Sequence, residues 1–231
     1  MNYRTNITLL INLIQIILLN KTKKLLLFIE IIIQKITKLP NIIAVSKTFG
    51  LEHILPLVEY GHLDYGENKV QEAIEKWTET KIKNPKIRLH LIGKLQTNKV
   101  KFAIKIFDYI HSVDSIKLAK KISDEQIKQN KIVKIFIQIN IGSEEQKSGV
   151  DVNKIKELLN CCKELELDVI GLMCIPPINK DSSKYFQKMS LLKNDFNLQQ
   201  LSMGMSSDYL DAIKNNATYL RIGSSIFGKR S

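Results

Sequence analysis

Cysteine is scarce in this chain. Cys161, Cys162 and Cys174 are the only three in 231 residues. An odd count without metal-ligand spacing excludes a disulfide framework and a structural zinc site, so the thiols read as reduced packing residues. Five prolines and ten glycines are scattered, with no Pro/Gly/Ser-rich linker, and no segment repeats at a solenoid-like period. One domain is therefore expected, at a length that α/β barrels commonly reach undivided. No GxGxxG or P-loop follows an apolar run, which argues against an open dinucleotide- or nucleoside-triphosphate-binding sheet. Long hydrophobic runs are also missing. Ile7 to Leu19 is interrupted by Asn12 and Gln15 and ends at Lys21, short of the roughly 20 residues that span a bilayer. It has no small-residue cleavage site. Amphipathic helices over Ile7 to Ile36 are expected, within a lead-in of residues 1–41 packed on the unit formed by residues 42–231. No membrane span or targeting signal is foreseen, which places the protein in the cytoplasm.

Negative charge and aromatic rings are in short supply too. Lys and Arg number 35 against 23 Asp and Glu, a formal charge of +12, and aromatics make up 7%. The lysines are dispersed among Ile and Asn, without the aromatic-interleaved basic stripe that stacks bases. Nucleic acid is not an expected partner. A phosphorylated small molecule would benefit from the same field.

What is present alternates. Candidate strands are Ile42 to Ser46, Leu63 to Gly66, Arg88 to Ile92, Tyr109 to Val113, Val133 to Ile139, Val169 to Met173, Gln200 to Ser202 and Tyr219 to Ile222. Helical spacing separates them at Leu51 to Tyr60, Lys69 to Thr80, Thr97 to Phe107, Ser115 to Gln129, Val152 to Leu165, Ser183 to Asn194 and Ser207 to Asn215. Eight strand–helix alternations predict a single (β/α)8 TIM-type barrel. Its active face would be built at the C-terminal ends of the strands.

Lys47 stands at such an end, after Ile42-Ile43-Ala44-Val45-Ser46. Desolvation there would lower its pKa and make it a nucleophile toward a carbonyl. The loop after strand seven, Ser202 to Asp208, carries Gly204 for close backbone approach, with Ser206 or Ser207 as helix caps. The loop after strand eight, Arg221 to Gly228, opens with Gly223 and Ser224. Barrel closure sets strand eight beside strand one, so Arg221 and Gly223 are expected next to Lys47. An amine, an anion cradle and an arginine suit a phosphorylated aldehyde or ketone.

These residues carry a family resemblance. Ile43 to Thr48, Asp64 to Glu72, His90 to Lys99, His111 to Asp114, Lys147 to Gly149, Gly171 to Met173, Leu201 to Asp208 and Arg221 to Gly228 match, in order, the pattern of the pyridoxal phosphate homeostasis proteins. That family resembles the N-terminal barrel domain of alanine racemase. The resemblance implies pyridoxal 5′-phosphate held as a Schiff base on Lys47. It implies the phosphate near Ser202, Gly204, Ser206, Gly223 and Ser224, Arg221 at the pyridine nitrogen, and Asn68 and Met203 near the ring. It assigns no catalytic residue and no metal. An arginine at that nitrogen makes the ring a weaker electron sink than a carboxylate would. Ser224 stands where many relatives carry threonine.

The expected function is binding and supplying the cofactor within vitamin B6 homeostasis, as a monomer whose candidate partners are apo-enzymes that use it. The alternatives are a racemase-like enzyme on the same cofactor and a Schiff-base aldolase acting through Lys47. Against the racemase, no second domain follows strand eight to supply an opposing acid or base. His90 and His111 read as satisfied core or rim histidines, Trp77 as packing. Glu67 and Asp114 read as general acids or structural acceptors, and Gln96, Asn98 and Lys99 as a polar rim of the active face.

Overall fold

A computed structural model describes residues 39–144, 148–178 and 180–228. The helices expected over Ile7 to Ile36, and Lys147, lie outside the described residues. Eight parallel strands close into a barrel in sequence order, as the alternation predicts. In chain order the elements are β1 (Asn41–Val45), α1 (Leu51–Glu59), β2 (Asp64–Glu67), α2 (Val70–Lys83), β3 (Arg88–Leu91), α3 (Val100–Ile106), β4 (Tyr109–Val113) and α4 (Ile116–Gln129). There follow β5 (Lys134–Ile139), α5 (Ile155–Glu164), β6 (Val169–Cys174), α6 (Ser182–Asp195), β7 (Gln200–Ser202), α7 (Tyr209–Lys214), β8 (Tyr219–Ile222) and α8 (Ser224–Phe227). Closure is made by β1 and β8, with Ile43 opposite Arg221 and Ala44 opposite Ile222.

Two helix starts depart from expectation. The segments predicted to begin at Thr97 and Val152 open as single 3-10 turns, Thr97–Lys99 and Val152–Lys154, before α3 and α5. Neither turn has a side-chain cap, and a tighter turn is the usual alternative for unpaired first amides. Where a cap exists the start is clean: Ser115 Oγ accepts from Leu118 N–H ahead of α4, and Asp181 accepts from Ser183 N–H ahead of α6. Before α7 the N-terminal position falls to Asp208, not Ser206 or Ser207, and its carboxylate accepts from Met205 N–H at 2.6 Å.

The core has two layers of different chemistry. Between sheet and helices lie Ile54, Leu57, Ala73, Trp77, Ile104, Ile122, Leu158 and Phe186, all buried. Within the barrel, Ile43, Tyr109, Phe136, Met173 and Tyr219 form a separate apolar cluster. Buried His90 and His111 share that space, His90 stacked on Tyr109 and His111 on Phe136, each pair with ring centroids 4.2 Å apart. Branched aliphatics usually fill this position. Cys162 and Cys174 are packing residues as expected; burial pushes both thiols up to about 12, far from the reactive thiolate range. Among the described residues no helix is long and apolar enough to cross a membrane.

Candidate functional site

The strands deliver their C-terminal residues to one end of the barrel, around a cavity of about 710 Å³. Its wall includes Lys47 after β1, Asn68 after β2, Gly93 and Lys94 after β3, and Gln138 and Asn140 at the end of β5. It also includes Ser206 after β7 and Arg221, Gly223 and Ser224 from β8 and the loop after it, on the strand that pairs with β1. Lys47 is half-buried and lines the cavity. Phe49 also lines the cavity and packs on Phe227 of α8 at 5.2 Å, tying the loop after β1 to the one after β8.

Arg221 gives the site its electrostatic character. It is 4% exposed, and its NH1 and NH2 groups donate to Ser202 Oγ and the Cys174 carbonyl, each at 2.8 Å. Burial pulls its pKa below the ordinary value. None of the ion pairs among the described residues includes it. A buried cation without a carboxylate is costly by itself. With five N–H donors on the guanidinium, it suits a ligand that accepts hydrogen bonds.

Behind Arg221 a hydrogen-bonded chain crosses the barrel interior. His111 Nδ1 meets Ser202 Oγ at 2.9 Å, His90 Nδ1 meets His111 Nε2 at 3.0 Å, and His90 Nε2 meets Asp64 Oδ1 at 2.9 Å. Asp64 also accepts from Arg88 through two nitrogens. Burial raises the Asp64 pKa, but Arg88 and His90 outweigh it and hold the carboxyl well below its usual range. As a carboxylate it can only accept, so His90 carries its proton on Nε2. Burial keeps both histidines below their ordinary value, hence neutral. His111 must then donate from Nε2 to His90, and the Ser202 hydroxyl must donate to His111 while accepting from Arg221. Every donor in this chain points from Arg221 toward Asp64.

The predicted site residues divide into two groups. Lys47, Asn68, Ser206, Arg221, Gly223 and Ser224 share the cavity wall. Ser202, Met203 and Gly204 are fully buried outside that lining. The Ser202 side chain belongs to the interior chain, Met203 to the outer core, and Gly204 to a close approach of α7. At Gly204 φ is +91° and an added Cβ would stand 2.5 Å from Ala212 Cβ. Glu67 is a structural acceptor, with three donors on one oxygen, and Trp77 is a packing residue that supplies one of them. Gln96, Asn98 and Lys99 do not line the cavity; Asn98 borders a separate shallow groove with Lys117, Lys120 and Lys121. Sequence reasoning gave Gly93 no role. Its absent Cβ leaves room for the Asn68 backbone, which an added Cβ would strike, and only its place between a strand end and a polar rim could have hinted at this.

Comparison with known proteins agrees with this architecture. Residues 29–231 match the family described as alanine racemase, N-terminal domain. The pyridoxal phosphate homeostasis protein of Aquifex aeolicus is 39% identical over 82% of this chain and 87% of its own length. The solved structure of PipY from Synechococcus elongatus without PLP superimposes with a TM-score of 0.77 at 34% identity, covering 82% of this chain and 93% of that one. PipY with PLP bound gives a TM-score of 0.76 at 31% identity, covering 87% and 98%. With the barrel, the cavity wall and a likeness over 82% of the chain in agreement, the chain belongs to the pyridoxal phosphate homeostasis protein family.

Proposed function

We propose that this protein binds pyridoxal 5′-phosphate as a Schiff base on Lys47 and serves intracellular vitamin B6 homeostasis without robust turnover of a substrate. The observation that carries the reading is the shared cavity wall. An amine, Lys47, lies there with Arg221, a buried guanidinium without a carboxylate, and with Ser206, Gly223 and Ser224, which present hydroxyls and open backbone. The residues fit the cofactor: a cation and hydroxyls for its anionic and accepting groups, an amine for its aldehyde. When bound, the cofactor supplies that aldehyde and an electron-withdrawing ring. Arg221 would face the ring nitrogen and keep it unprotonated, which disfavours carbanion chemistry. Ser206, Gly223 and Ser224 would hold the phosphate, with Ser202 and Gly204 supporting that loop from behind; Asn68 would flank the ring, while Met203 packs in the outer core and would act only through the loop it anchors. Residues 42–231 form the binding unit and residues 1–41 its lead-in. The protein works in the cytoplasm as a monomer, and its partners are apo-enzymes that take up the cofactor. The likeness to PipY, solved with PLP bound, supports the choice of ligand.

Absorbance of the purified protein tests the reading. The wild type should show a visible band that borohydride bleaches, leaving a stable adduct on the peptide containing Lys47. Lys47→Ala should be colourless at the same cofactor concentration. An adduct on another residue, or none at saturating cofactor, refutes the assignment.

A further inference from the structure

We propose that Glu67, Lys76 and Glu72 form a positioning clamp for Lys47, gripping the peptide units on both sides of it from behind the barrel wall. The proposal rests on the reading of Lys47 as the anchoring amine. The Ser46 carbonyl, whose carbon is bonded to the Lys47 nitrogen, accepts from Lys76 Nζ at 2.9 Å. The Thr48 N–H, on the other side, donates to Glu72 Oε1 at 2.7 Å. Lys76 joins the two holds by donating to Glu67 Oε1 and Glu72 Oε1 at 3.0 Å each. Glu67 is the fixed end, accepting also from Ser46 Oγ at 2.7 Å and Trp77 Nε1 at 2.9 Å.

The cluster is built and not incidental. Glu67 and Lys76 side chains are 0% and 9% exposed, and burying two charged groups needs a return. Thr48 is held at φ +69°, a conformation that a β-branched residue takes only when its surroundings impose it. With Ser46 N–H also bonded to the Gly66 carbonyl at 3.0 Å, the Cα–Cβ direction of Lys47 is set from both sides. That matters for the condensation. The neutral Lys47 Nζ would attack the aldehyde carbon, a C=N bond replacing C=O, and the carbonyl oxygen would leave as water with the two amine protons. Attack needs the nitrogen on a narrow approach, and misplacing a reacting atom by about 1 Å can cost about 100-fold in rate.

Glu72→Ala tests the clamp, because it removes the Thr48 acceptor from a partly exposed position on α2. Unloaded protein is mixed with pyridoxal 5′-phosphate in a stopped-flow spectrometer. The visible band should form about tenfold more slowly than in the wild type. Binding of pyridoxine 5′-phosphate, which carries an alcohol in place of the aldehyde, should be unchanged, and the Thr48 amide should exchange hydrogen faster in the unloaded protein. Glu72→Gln keeps an acceptor oxygen and should restore most of the rate. Lys76→Met, which frees the Ser46 carbonyl, should slow the band in the same direction. An unchanged rate in Glu72→Ala overturns the clamp, as does an equal loss of pyridoxine 5′-phosphate binding, which would indicate general distortion. Lys47→Ala separates the two claims. If it still forms the band, the anchoring assignment fails and the clamp with it; if it does not while Glu72→Ala is normal, only the clamp fails.

Discussion

Replacing Gly204 by alanine should destabilise the fold while sparing the cavity, and the structure sets the size of the loss. At φ +91° a residue with a Cβ is strained by about 1–2 kcal/mol. The new methyl would lie 2.5 Å from Ala212 Cβ, 3.0 Å from Leu220 Cδ2 and 3.2 Å from Tyr209 Cα, overpacking that costs about 1–3 kcal/mol. Reduced freedom of the unfolded chain returns about 0.4–1 kcal/mol. The net loss is about 2–4 kcal/mol, which for a chain of this size lowers Tm by roughly 4–16 °C. Thermal and urea unfolding followed by circular dichroism would measure it. Adding Ala212→Gly removes the nearest clash but not the strain at φ, so the double variant should show a favourable coupling of at least about 1 kcal/mol. A melt within about 1–2 °C of wild type, together with a marked loss of cofactor affinity, would refute this reasoning and return Gly204 to a direct role at the phosphate.

Gly223→Ala should behave in the opposite way: its Cβ would meet Val45 Cβ and O at 3.4 Å, ordinary contact, so urea midpoints should hold while cofactor affinity falls about tenfold or more. A stable variant with unaltered affinity would remove Gly223 from the binding surface. Stability should decline below about pH 6.5, because burial holds His62, His90 and His111 below the ordinary value of 6.5 and the unfolded chain takes up protons that the folded one refuses. Each histidine adds up to about 1.4 kcal/mol per pH unit, and Asp64, held below 3.8, adds a further loss at lower pH; a urea midpoint constant between about pH 7.5 and 5.5 would contradict the assigned neutral chain. Glu67→Met should cost about 3 kcal/mol in urea unfolding, because it removes the oxygen that accepts from Ser46, Lys76 and Trp77 and leaves buried Lys76 with Glu72 as its remaining carboxylate. A loss under about 0.5 kcal/mol would show that the cluster contributes little.

The barrel was legible in the sequence because its signals are local. Short β-branched runs bounded by turn residues mark buried parallel strands, and amphipathic spacing between them marks the covering helices. Four of the cavity-wall residues follow from that pattern and closure alone, since Lys47, Arg221, Gly223 and Ser224 leave neighbouring strands at one end. Helix starts at Thr97 and Val152 were misplaced by a turn because a 3-10 opening has no distinct pattern of side chains.

The chain of residues itself determined the strand order, the amine at the end of β1 and the glycine–serine openings after β7 and β8. Only the tertiary structure decided that Ser202 turns inward to His111 and Arg221, that Gly204 admits α7, and that Glu67, Lys76 and Glu72 converge behind Lys47. The physical reason is that a strand's alternation assigns a side chain to a face, whereas its hydrogen-bond partner comes from strands or helices far along the chain, brought within 3 Å only when the barrel closes.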